Sequence, residues 1–175
     1  MVKFDFTKRD IVMMAAFLAL MMVAEAIWIL GSVFAPFGIG IYYGAVLIIA
    51  AIVIGKRYTI LTLGIAKTII MLLIPDTYGG SLAAICYLIG AIVLESALYL
   101  SEPYAENLKT DLLGILGYGI MYWGVYVAVL TMVYGMAIPQ WAIIIGFVVY
   151  PGSFLLGGFL GYKLGNKVKN VIESV

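Results

Sequence analysis

Long apolar stretches follow one another along the chain with little polar relief: Ile11 to Gly31, Ile39 to Gly55, Tyr58 to Ile74, Ser81 to Leu100, Leu112 to Met136, and Trp141 to Tyr162. Gly, Pro or a cluster of charges separates each from the next, and these are the residues that punctuate helices. A membrane-spanning helix needs roughly 20 predominantly apolar residues, so the pattern predicts six transmembrane helices. The second and third windows are joined only by Lys56-Arg57, which predicts a tight helical hairpin. Six spans with short connections use nearly all of residues 1–175, so the chain reads as a single transmembrane domain. The expected fold is an all-α integral membrane protein, a compact bundle of six helices.

Composition agrees with the pattern. Of 175 residues, 65% are hydrophobic and 11% charged, and the mean hydropathy is +1.16. No aqueous core hides that much apolar surface, so the natural surroundings are a lipid bilayer. The basic residues are segregated. Lys3, Lys8 and Arg9 precede the first window, Lys56 and Arg57 join the second and third, Lys109 lies between the fourth and fifth, and Lys163, Lys167 and Lys169 follow the sixth. With six spans, all of these fall on one side. The opposite connections, Gly31 to Gly38, Pro75 to Gly80 and Ala137 to Gln140, hold one charge, Asp76. Cytoplasmic loops are enriched in Lys and Arg, which predicts cytoplasmic N and C termini for a multi-pass protein of the cell membrane. The apolar run after the charged opening is too long for a signal-peptide core and is expected to be a retained first helix.

Several chemistries are excluded. There is no histidine, and Cys86 is the single cysteine, so no metal site is expected. No phosphate-binding loop is present, which removes a self-powered ATPase. Neither a paired-Asp motif nor a Gly-x-Ser-x-Gly turn occurs, and no enzyme activity, cofactor or nucleic-acid partner is expected. A proton or cation channel would have to accommodate Lys67, which opposes a simple cation path.

Three ionisable residues interrupt the windows: Glu25, Lys67 and Glu95. Each costs about 2.5–3.5 kcal/mol at a helix centre on insertion scales and should face the bundle interior beside a partner. Glu25 and Lys67 lie at similar depth below the outer ends of their helices, counting about 1.5 Å per residue, so they can pair. A structural ion pair and a ligand-binding pair are both open readings. Tyr118, Tyr122 and Tyr126 recur every four residues on one face, with Trp123 beside them. Tyr122, Trp123 and Tyr126 are too deep for headgroup anchoring, so they form either polar inter-helix packing or the wall of a site for a flat heterocycle. Tyr87 and Glu95 share one face of the fourth helix. Glu25, Trp28, Tyr43, Lys67, Tyr87, Glu95, Tyr122, Trp123, Tyr126 and Tyr150 are therefore the candidate substrate-binding residues. On the first helix, Ala15, Ala19, Met22 and Ala26 form a stripe turned away from Glu25 and Trp28, suited to close helix approach. Pro151 predicts a bend in the last helix, and the glycines that follow predict close contacts.

The length, the six windows and the opening Asp10-Ile-Val-Met-Met-Ala-Ala-Phe-Leu-Ala-Leu resemble the substrate-binding S-components of energy-coupling-factor vitamin transporters. The likeness covers essentially the full chain. Phe34-Ala-Pro-Phe-Gly leading into Ile41-Tyr-Tyr-Gly looks most like the branch linked to hydroxymethylpyrimidine, a thiamine precursor. The resemblance implies capture of a vitamin or vitamin precursor from outside, best matched by a thiamine-related pyrimidine. It also implies partnership with a transmembrane coupling subunit and ATPase subunits, with Ala15 and Ala19 at the coupling interface. It puts the outer roof at loops that here contain Pro36, Asp76, Thr77, Tyr78, Gln140 and Trp141. The pocket histidine of thiamine-binding members is missing, which points away from intact thiamine. The competing reading is a non-transporting membrane scaffold or accessory subunit, which takes no small-molecule ligand.

Overall fold

A computed structural model of the chain describes residues 6–25, 35–74 and 81–173. Among them are six α-helices and no strand: α1 (Lys8–Val23), α2 (Ala35–Ile54), α3 (Thr59–Leu73), α4 (Ile85–Tyr99), α5 (Leu108–Ala128) and α6 (Gln140–Glu173). A 3-10 turn, Ser81–Ala84, leads into α4, and a π-helical turn, Val129–Val133, extends α5. Four of these segments are long and apolar enough to cross a membrane: Ala35–Ile54, Leu82–Tyr99, Leu108–Val133 and Gln140–Ile172. The chain is a multi-pass membrane protein on this evidence. The other two helices are shorter than the windows predicted. α1 has 16 residues and leads into residues outside the description, while α3 has 15 and ends just before Pro75.

Local chemistry sets the helix ends. Thr7 and Asp10 form a capping box on α1: the Thr7 amide donates to Asp10 Oδ2 at 2.7 Å and the Asp10 amide to Thr7 Oγ1 at 3.3 Å, satisfying donors that the first turn leaves free. Asn107 caps α5 by accepting from the Lys109 amide at 3.0 Å. The predicted α2–α3 hairpin forms. Gly55, with φ 63°, closes α2 in the left-handed region that favours glycine.

The helices close into a ring, α1–α2–α6–α5–α4–α3 and back to α1, with α2 also touching α3 and α5. The tightest seam joins α2 to α6. A Cβ on Gly44 would lie 2.5 Å from the Phe154 carbonyl oxygen and 3.0 Å from the Gly158 amide nitrogen. Glycine is what permits this approach, as expected for bundles packed without a water-driven hydrophobic effect. α6 continues without a break through Pro151 and on to Glu173, eleven residues past the predicted end at Tyr162. Leu47, Ile48, Leu94, Leu98 and Phe154 are fully buried, whereas Ile144, Val148 and Leu156 face outward. Outward-facing apolar residues are the surface a lipid solvent requires.

Candidate functional site

The interior of the ring holds an ion pair, with its lysine buried and its glutamate partly buried, at one end of a continuous row of aromatic rings. Lys67, from the middle of α3, is wholly buried, and its Nζ donates to Glu25 Oε1 at 2.8 Å. Tyr43 of α2 and Tyr87 of α4 each donate their hydroxyl to the same oxygen at 3.0 Å. The ammonium also reaches the Met21 carbonyl at 3.4 Å and Met22 Sδ at 3.3 Å. It lies 5.6 Å and 5.2 Å from the ring centres of Tyr43 and Tyr87, within range for cation–π attraction. Three helices thus converge on one carboxylate oxygen. Glu25 Oε2 has no partner among the described residues, and the side chain is 24% exposed.

From this pair the rings continue across the bundle. Tyr43 stacks on Tyr87 at 5.9 Å, and Tyr87 meets Tyr122 edge-on at 5.3 Å. Tyr122 stacks with Tyr126 at 6.4 Å and lies 5.8 Å from Tyr150 of α6. Trp123 stacks on Tyr150 at 4.6 Å with planes 15° apart, and its indole N–H donates to the Ile143 carbonyl at 3.1 Å. A Cβ at Gly146 would collide with the indole of Trp123, so glycine on α6 makes room for this ring. The four-residue spacing on α5 explains the order: Tyr118, Tyr122 and Tyr126 fall on one face and stack in turn.

Eight of the ten candidate residues are therefore brought together: Glu25, Tyr43, Lys67, Tyr87, Tyr122, Trp123, Tyr126 and Tyr150. Trp28 lies outside the described residues. Glu95, although it shares a face of α4 with Tyr87, has its bonds outside the group. Its Oε1 accepts from the Tyr58 amide at 2.6 Å, and its Oε2 from the amides of Ile60 and Leu61 at 3.0 and 3.2 Å and from Tyr104 Oη at 3.0 Å. Glu95 caps the N-terminus of α3 from a neighbouring helix, where exposed amides and the helix dipole favour a carboxylate. Burial, then the negative charge of Glu95, pushes the Tyr104 hydroxyl well above the usual tyrosine range. Sequence reasoning did not select Tyr118 or Phe154 for the site, although both contact the Tyr122 ring. Tyr118 was visible in the four-residue stripe. Phe154 carries no such signal.

Chemically, the group offers aromatic faces that can stack a flat ring and a carboxylate oxygen that can accept an N–H. Lys67 neutralises the carboxylate overall. Away from this group, Ala15 and Ala19 are exposed on the outer face of α1, Met22 is partly buried, and Ala26 lies outside the described residues.

No family model matches the chain, and no curated protein matches it in sequence. Among solved structures, the chain superposes on the crystal structure of an S-component of ECF transporter with a TM-score of 0.67. The match has 19% sequence identity and covers 96% of this chain and 86% of that one. Nearly the whole bundle, including the helices that carry the ion pair and the aromatic row, therefore has the fold of an ECF transporter S-component.

Proposed function

We propose that this protein is the substrate-binding membrane subunit of an ECF-type importer. In this reading six helices cross the cell membrane, both termini are cytoplasmic, and the ligand is captured from outside. The ligand is a vitamin or vitamin precursor with a flat nitrogen heterocycle, best fitted by a thiamine-related pyrimidine. Its ring stacks against Tyr126, Trp123 and Tyr150, and an amino group donates to Glu25. The observation that carries the reading is the convergence of three donors on Glu25 Oε1, which fixes the carboxylate while leaving Oε2 without a described partner. A preorganised acceptor beside stacked aromatic rings is how small-molecule sites combine orientation with apolar contact. Ala15 and Ala19 form the docking face for the transmembrane coupling subunit, which the ATPase subunits drive.

The test is equilibrium binding of hydroxymethylpyrimidine and related compounds to the purified full chain, to Tyr126→Ala and to Glu25→Gln. The proposal predicts binding to the wild type and losses of tenfold or more in each variant, since one hydrogen bond to a charged group is worth about 1.5–3 kcal/mol. Equal affinity in all three proteins would put the site elsewhere. Failure of every vitamin-like compound to bind would favour the scaffold reading.

A further inference from the structure

The end of the bundle that carries most of the basic residues also holds a buried acid outside the site above. Asp111, in the first turn of α5, is 1% exposed, and neither carboxylate oxygen has a hydrogen-bond partner among the described residues. The other carboxylates described at that end are engaged. Asp10 bonds Lys56, Glu102 bonds Arg57, Glu106 bonds Lys169, and Glu95 takes three amides and a hydroxyl.

Among the described residues, the elements packed on α5 at this end bring Asp111 no cation. α4 presents Glu95, and the connection before α5 presents Tyr104, whose hydroxyl is given to Glu95. On α6, Lys169 is held by Glu106, Lys163 lies over the Phe159 ring, Lys167 is exposed, and Tyr162 donates to the Glu106 carbonyl. The ionisable side chains of α2 are Tyr42 and Tyr43, and Tyr43 belongs to the Glu25 cluster. Lys109, on α5 itself, is exposed. An ionised Asp111 would be a buried charge with neither a counter-ion nor a donor, the arrangement that folded proteins avoid by neutralising the group. The N-terminal dipole of α5 offsets only a small part of that cost.

We infer that Asp111 is a proton-binding site, held as the neutral acid in the folded protein. Loss of its proton puts a buried negative charge near Tyr104, whose hydroxyl is donated to Glu95, and it loosens the corner where Glu95 ties α4 to the start of α3. The bound proton makes this corner sensitive to pH on the basic side of the membrane. The inference is independent of the ligand site.

Two measurements test it on the full chain in lipid nanodiscs. Infrared spectroscopy with carbon-13-labelled aspartate should show the C=O stretch of a protonated acid at neutral pH, lost in Asp111→Asn. The wild-type unfolding midpoint should fall from mildly acidic to alkaline pH, whereas D111N, an isostere of the neutral acid, stays level. If D111N does not fold, a variant with Asp5, Asp10 and Asp76 all changed to Asn keeps Asp111 as its single aspartate and must retain the band. Absence of a protonated-acid band at neutral pH overturns the inference, as does a D111N midpoint that falls with pH as steeply as the wild type.

Discussion

Replacing Glu25 by Gln removes the counter-charge of an ammonium that has no exposure of its own. Lys67 would retain the Met21 carbonyl at 3.4 Å, Met22 Sδ at 3.3 Å and the two tyrosine faces, which are weak substitutes for a carboxylate. Breaking one side of a buried ion pair typically costs about 3–5 kcal/mol because a charge is left uncompensated. For a chain of this size each kcal/mol shifts the unfolding midpoint by roughly 2–4 °C, so E25Q is expected to melt about 10 °C below the wild type without ligand. Lys67→Met should cost less. The carboxylate it leaves is 24% exposed and keeps both tyrosine hydroxyls. The double variant removes both charges and should recover most of the E25Q loss, giving a coupling energy in the upper part of the roughly 0.5–3 kcal/mol range of contacting residues. Thermal unfolding of the four detergent-purified proteins, followed by circular dichroism, reads the cycle. Losses that simply add would refute the reasoning, because they would mean that Glu25 and Lys67 do not stabilise each other.

Three further outcomes follow from the packing. Glu95→Ala strips the acceptor from three amides and the Tyr104 hydroxyl and should cost about 3 kcal/mol, since each buried unsatisfied donor is worth about 1–3 kcal/mol; denaturant titration reads the loss, and ligand affinity of the folded fraction should not change. Gly44→Ala forces a methyl group against the α6 backbone, whereas Gly152→Ala meets nothing within 4 Å, so the first should lower the melting temperature and the second should raise it, helix propensity gaining about 1 kcal/mol. Lys56 and Thr7 hold the Asp10 carboxyl at about 2, below its ordinary 3.8. A depressed acid contributes stability that is complete above its unfolded value and is lost as pH falls through its folded one, so wild-type stability from this pair should persist down to about pH 4 and disappear towards pH 2, a loss that Lys56→Met should largely remove in acid-unfolding titrations.

Much of the site was legible because membrane burial makes ionisable residues expensive and therefore informative. Counting depth along two helices was enough to pair Glu25 with Lys67, and four-residue spacing was enough to align Tyr118, Tyr122 and Tyr126. The capping role of Glu95 was not legible, because a carboxylate that caps a different helix leaves no local signature; its partners are 34 to 37 residues away for the amides. The accommodation of Trp123 by Gly146 depends on how α5 and α6 cross, and a glycine in an apolar run does not reveal what lies over it. Helix lengths were read less well than helix number. α6 outruns its apolar window because its last turns, with Lys163, Lys167 and Lys169, continue the helix, two of these lysines being exposed and the third held by Glu106. α3 stops short because Pro75 follows it, and proline biases the preceding residue away from helix.

We propose that the aromatic row and Glu25 form a binding site for a vitamin-like heterocycle. A thermal-shift screen of the purified full chain against vitamins and their precursors tests it most directly. A ligand at 100 times its Kd stabilises the folded state by about 2.7 kcal/mol, equivalent to roughly 5–10 °C for a chain of this size. One such compound is expected, a flat heterocycle with an amino group, whose shift is lost in Tyr126→Ala. A screen in which no compound moves the midpoint, or in which Tyr126→Ala keeps the full shift, would contradict it.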